Sequence, residues 1–189
     1  MANARTKTTL VLGIGNTLLS DDGAGIHTIT YLRDAHGELP GVRYVDGGTL
    51  SFVFMEAIAG ADELIVVDAA ELGDPAGTVR HFEGEAMDRF LRTPGRSAHE
   101  IGVADILELA RLRGWTVERR ALVAIQPDRL GWGVGPSPPV ARAIPEAAER
   151  VVRLVKEWRD QHHSEPGHDR TCSAQPEREN HTPRLNDSH

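Results

Sequence analysis

Between residues 9 and 159 the chain alternates short apolar runs with amphipathic stretches. "TLVLGIG" (9–15) is an apolar run of strand length, and "AGIHTITYLRDAHG" (24–37) follows with Ile26, Ile29 and Leu32 at helical spacing. "VRYVDGG" (42–48) is strand-like and ends in a glycine turn. "LSFVFMEAIAGA" (50–61) predicts a helix with Phe52, Met55 and Ile58 on one side, closed by Gly60. "ELIVVDAA" (63–70) is rich in β-branched residues and bounded by polar ones, the pattern of a buried strand. "GTVRHFEG" (77–84) is a shorter strand, and residues 85–98 are irregular. "HEIGVADILELARLRG" (99–114) is an amphipathic helix with Ile101, Ile106, Leu107 and Leu109 inward, ended by Gly114. "RRALVAIQP" (119–127) is a buried strand, and "PPVARAIPEAAERVVRLVKEW" (138–158) is a closing helix in which Pro145 predicts a break or kink.

Five strands with crossover helices predict an α/β fold, a three-layer sandwich with a mostly parallel sheet between helices. The connection "AELGDPAG" (70–77) is too short for a helical crossover, so the strand after it is expected as an antiparallel edge. The pattern stops near Trp158. Residues 160–189 hold five of the nine histidines (His162, His163, His168, His181 and His189) and almost no large apolar side chains. Such a segment cannot offset its own ordering entropy, which predicts one domain over residues 1–159 and a disordered polar tail over 160–189. A histidine-rich metal-handling arm is the functional alternative for that tail.

Composition narrows the partners. The formal charge is −7 and basic residues are not clustered, which argues against a nucleic-acid backbone as partner. The one cysteine, Cys172, rules out an internal disulfide and any cysteine-rich metal site, and its place in the tail makes it a poor nucleophile. No apolar stretch approaches the roughly 20 residues of a membrane span. Arg5 and Lys7 before "LVLGIGNTLL" loosely imitate a secretory signal, but Gly13, Gly15 and Asn16 interrupt the run. A cytoplasmic location is the better expectation.

Ligands of open α/β sheets collect at the carboxyl ends of the strands. Those positions hold Asn16, Asp21 and Asp22; Asp46, Gly47, Gly48 and Thr49; Asp68; Ser97 and His99; and Gln126, Pro127 and Asp128. The first loop resembles a dinucleotide turn but has Leu18 where the third glycine belongs, and two carboxylates where a pyrophosphate would sit. There is neither a Walker lysine motif nor a G-x-S-x-G nucleophile elbow. A cation fits better. Asp22 and Asp68 lie on loops that a parallel sheet sets side by side, and His99 can converge on them. Two carboxylates and an imidazole suit Zn²⁺, Ni²⁺ or Mn²⁺ with positions left open. Each residue also has a plainer role. Asp21 or Asp22 could cap the first helix, Asp68 could be a satisfied strand-end acid, His99 could cap the helix after it, and Asp46 could be a turn residue. His27 and His81 are expected to be structural.

Taken together, "GIGNTLLSDDGAG" (13–25), "VDGGT" (45–49), "ADELIVVDAA" (61–70), "SAHEIG" (97–102) and "IQP" (125–127) resemble the maturation endopeptidases of nickel–iron hydrogenases, in order from about Leu10 to Trp158. The resemblance implies a twisted five-stranded sheet between helices. It also implies removal of a C-terminal peptide from the hydrogenase large-subunit precursor once nickel is inserted. The family's metal-binding positions fall by motif on Asp22, Asp68 and His99. Many members carry glutamate at the first of these, so Asp22 shortens the reach by one methylene, and the tail beyond Asp160 matches nothing in the family pattern.

On this basis the three side chains are expected to grip Ni²⁺ carried by the precursor, with another divalent metal able to occupy the site. That grip would position the scissile bond and make cleavage conditional on nickel. The metal could also polarise the carbonyl or activate water. Asp46 is the candidate for substrate positioning or acid–base assistance. Competing expectations are a nickel-dependent chaperone that docks on the precursor without cutting, a sugar-phosphate or nucleotide enzyme, and a general zinc metallopeptidase.

Overall fold

The computed structural model describes residues 7–49, 54–95 and 103–164. Its strands are β1 (Thr9–Gly13), β2 (Val42–Asp46), β3 (Glu63–Ala69), β4 (Val79–Glu83) and β5 (Arg119–Ile125). Its helices are α1 (Ala24–His36), α2 (Phe54–Ala59), α3 (Gly84–Leu91), α4 (Val103–Leu112) and α5 (Pro138–Ser164), with a 3-10 turn over Ser20–Gly23 ahead of α1. The strands form one sheet in the order β2-β1-β3-β5-β4, parallel except for β4, which pairs antiparallel with β5 at the edge. The short connection before β4 is responsible, because it cannot carry the chain back across the sheet.

Alternate residues of the central strands supply two cores, as the pleat requires. Val11, Ile65, Val67, Val123 and Ile125 pack with Ile29 and Leu32 of α1 and Val151, Leu154 and Trp158 of α5. Leu10, Leu12, Leu64, Val66 and Leu122 face the other way, against Ile58 of α2, Met87 of α3, and Val103 and Ile106 of α4. All residues of β1 and β3 are therefore buried, which is why both read as unbroken apolar runs rather than alternating ones. The run that imitates a signal core begins in the interior strand β1.

Three expectations need correction. Residues 84–91, assigned to the end of a strand and an irregular stretch, form α3. This helix has eight residues and one fully buried side chain, Met87, too little to display a period; Phe90 stacks on Phe82 of β4 with ring centroids 4.4 Å apart. Pro145 does not break α5. The carbonyl it leaves without an intrahelical donor is that of Ala141, an exposed residue whose oxygen water can satisfy. Finally, α5 continues to Ser164, five residues into the segment assigned to the tail. His162 Nε2 lies 2.6 Å from Oε1 of Glu63, a residue 1% exposed at the start of β3, and this contact gives the last turn a reason to order. Residues 165–189 lie outside the described residues, as do Phe52 and the side chain of Met55.

Candidate active site

The connections from β1 and from β3 leave in opposite directions, so the sheet order reverses between these two strands. A crevice opens at such a point on the carboxyl edge. The register sets Gly13 level with Val67 on one side and Asp46 on the other. Asp68, next along β3, and the loop after Gly13 therefore meet at this edge. Main-chain bonds close the junction, from Ile14 N–H to Val67 O (2.9 Å), Gly15 N–H to Gly48 O (2.8 Å) and Gly47 N–H to Gly13 O (2.7 Å).

The glycines of the loop serve contact between backbones, not a phosphate. Gly15 has φ +136°, and a Cβ there would stand 1.8 Å from the Asp22 carbonyl oxygen. A Cβ on Gly25 would lie 2.2 Å from Val67 O and 2.4 Å from Ile14 O. The start of α1 thus packs directly on the ends of β1 and β3, and the 3-10 turn carrying Asp22 is folded back against them.

Asp22 is 4% exposed, and its Oδ2 accepts the Asn16 N–H at 2.8 Å. Asp68 is 2% exposed at the end of β3. The N-cap position of α1 is Gly23, with no side-chain cap bond, rather than Asp21 or Asp22. Asp46 stands exposed at the end of β2, and its Oδ1 accepts the Gly48 N–H at 2.9 Å, so the carboxylate shapes its own turn. It also lines an open cleft with Gly15, Asn16, Thr17, Ile26, Gly48 and Thr49. Ser97 and His99 lie outside the described residues. Among the described residues, no three His, Cys, Asp or Glu side chains are grouped so as to hold a metal ion. Gln126 is structural: its Oε1 accepts the N–H groups of Leu72 (2.7 Å) and Gly73 (3.1 Å), tying down the loop after β3.

Asp21 has a role that its sequence position does not reveal. It is fully buried; Oδ2 accepts the N–H groups of Asp128 (2.9 Å) and Arg129 (3.0 Å), and Oδ1 accepts that of Ser137 (2.5 Å), the residue before α5. Burial is the largest influence on this carboxyl and pushes its pKa up, but the N–H and hydroxyl of Ser137 and the N–H groups of Arg129 and Asp128 together outweigh it and hold the pKa below the ordinary value. The same two loops are laced by Ser20 N–H to Gly133 O (2.9 Å) and Gly133 N–H to Leu18 O (3.0 Å). Ser20 takes φ +51° to make this turn, a strained conformation for a residue with a side chain. The partners are more than 100 residues away in sequence, so no local pattern announces them.

Comparison with known proteins decides the class. Residues 26–154 match the family model described as HycI, hydrogenase maturation protease. The chain belongs to the hydrogenase maturation protease family. It is 34% identical over 150 residues to the hydrogenase expression/formation protein HupD of Rhizobium leguminosarum bv. viciae, covering 79% of this chain and 74% of that protein. It is 32% identical over 149 residues to the hydrogenase 2 maturation protease of Escherichia coli K12, covering 78% of this chain and 90% of that one. Among solved structures it resembles the hydrogenase maturating endopeptidase HybD from E. coli, with a TM-score of 0.73, 30% identity, and coverage of 79% of this chain and 93% of that one. The α/β architecture is that of these maturation proteases, and the activity class is peptide-bond hydrolysis. No helix among the described residues is long and apolar enough to cross a membrane.

Proposed function

We propose that this maturation protease removes the C-terminal extension of a nickel–iron hydrogenase large-subunit precursor after nickel insertion, and that it recognises the nickel the precursor carries. The observation that carries this reading is the placement of two nearly buried carboxylates, Asp22 and Asp68, at the switch point between β1 and β3. Two carboxylates can supply half or more of the donors for a borderline divalent cation while leaving positions to the substrate's own ligands. His99, on the segment leading into α4, is the third proposed donor.

In this mechanism the nickel belongs to the substrate, and the chain's residues bind and orient. Asp22 and Asp68 hold the loaded site of the precursor, which brings the scissile bond to the cleft lined by Asp46 and Thr49. The gain is one of proximity, conditional on nickel. The Asn16 N–H bond fixes Oδ2 of Asp22, so the carboxylate is oriented before substrate arrives. Asp46 is the proposed group for positioning the peptide or moving a proton at its carboxyl.

The test is to incubate precursor with the protein, with and without nickel, and to weigh the products. Loss of a short C-terminal peptide only from the nickel-loaded precursor supports the proposal. Stable binding without cleavage contradicts it and favours a docking role; cleavage of both forms removes nickel recognition from the account.

A further inference from the structure

The two loops that Asp21 binds together carry a cluster of exposed apolar residues. Trp132 is 86% exposed, Val134 94%, and Leu18 and Leu130 each 55%. Single exposed hydrophobes are ordinary, but a group on one ordered surface marks a contact site. Leu19 and Gly133 form a parallel bridge, and that register sets Leu18 alongside Trp132. A Cβ at Gly133 would stand 2.4 Å from Ser20 Oγ, so the two loops fit at this point only with glycine. The patch is thus fixed to the residue before Asp22 by a buried carboxylate, three main-chain donors and a bridge.

We infer that Leu18, Leu130, Trp132 and Val134 form the docking surface for an apolar patch of the folded large-subunit precursor beside its C-terminal extension. The inference rests on the proposed function above. A large aromatic side chain set among aliphatic ones, on loops that also carry the polar residues Asn16, Thr17, Asp128 and Arg129, has the composition of an interface anchor. Its continuity with the Asp22 turn argues for the substrate as occupant. A partner that docks here is delivered to the crevice in a fixed orientation. Other occupants fit less well. Residues 165–189 contain Leu185 as their one large apolar residue, too little to cover a four-residue patch. A second copy would place two chains of formal charge −7 against each other and crowd the crevice.

The experiment measures steady-state cleavage of nickel-loaded precursor, and precursor binding at equilibrium, for the wild type, Trp132→Ala/Val134→Ala and Trp132→Phe. The double variant is expected to keep its thermal unfolding midpoint, because both side chains are exposed. It should raise KM and Kd on the order of tenfold with kcat within about twofold, the effect of removing an interface anchor. Trp132→Phe should recover most of that loss. If wild type cleaves and the double variant has an unchanged KM, the docking inference is wrong while the cleavage reading stands. If wild type binds without cutting and the double variant no longer binds, docking stands and the cleavage reading fails. If the wild type is a dimer that the double variant dissolves, with precursor affinity unchanged, the patch is a self-association surface and the inference is overturned.

Discussion

Acids near the two ends of the sheet are held in different ways. At the amino end, Asp62 accepts the Thr8 N–H at 2.8 Å, while Glu63 and Asp88 meet side chains. Glu63 bonds His162 and the Thr9 hydroxyl (2.7 Å), and Asp88 of α3 takes a bidentate contact from Arg120 of β5 at 2.8 and 2.5 Å. The guanidinium bonds lower the Asp88 pKa against the opposing effect of burial. These contacts join one element to another. At the carboxyl end, Asp21 meets backbone N–H groups of a distant loop, and Asp22 meets the Asn16 N–H. A carboxylate that accepts main-chain N–H groups, as Asp21 does, fixes the path of a loop. The amino end therefore reads as assembly, and the carboxyl end as a shaped site.

The largest effect should come from Gly15→Ala. A methyl 1.8 Å from the Asp22 carbonyl oxygen, at φ +136°, forces the turn apart. A destabilisation above about 4 kcal/mol is expected, in the range reserved for such clashes, measurable as a collapse of the denaturation midpoint together with lost cleavage.

Next is Asp21→Ala, which strips one buried and two part-buried N–H groups of their acceptor and should cost about 3 kcal/mol. The sign of its pH dependence follows from the lowered pKa. The carboxylate's contribution is present above the ordinary value of 3.8 and is lost as pH falls through the lower folded-state value. Acid titrations of stability should show this loss in the wild type, and it should be absent from the Asp21→Ala variant.

At the other end, a chain ending at Arg159 should be less stable than one ending at Ser164 by about 2 kcal/mol, because Glu63 stays buried and loses His162. Equal stability of the two would show that the last turn of α5 does nothing. The smallest effect belongs to Arg120→Met, about 1 kcal/mol for a partly exposed pair, with the cleavage rate unchanged. A large loss of cleavage in that variant would erase the distinction between the two ends.

How much of this was legible in the sequence differs in the same way. The strands, the antiparallel edge and the helices with a full apolar period were readable because their signals are local. So were the positions of Asp22, Asp46 and Asp68, since a parallel sheet puts every strand's carboxyl end on one edge. The helix α3 was not, being eight residues long with one buried side chain. Neither was the last turn of α5, where polar residues are ordered by a contact 99 residues away in the chain. Asp21 is the clearest case. The sequence reading chose Asp22 over Asp21 as the ligand candidate, and only the tertiary fold shows that Asp21 binds a remote loop.

The most direct measurement compares Asp22→Asn and Asp68→Asn with wild type for cleavage of nickel-loaded precursor, alongside thermal unfolding. The amide keeps an oxygen for the Asn16 N–H, so Asp22→Asn should unfold within about 1 kcal/mol of wild type, as expected where a hydrogen bond is retained. The account predicts that both variants lose cleavage by at least about a hundredfold, on the order of 3 kcal/mol of transition-state stabilisation. Wild-type cleavage by either variant would contradict the claim that the carboxyl-edge acids are the site.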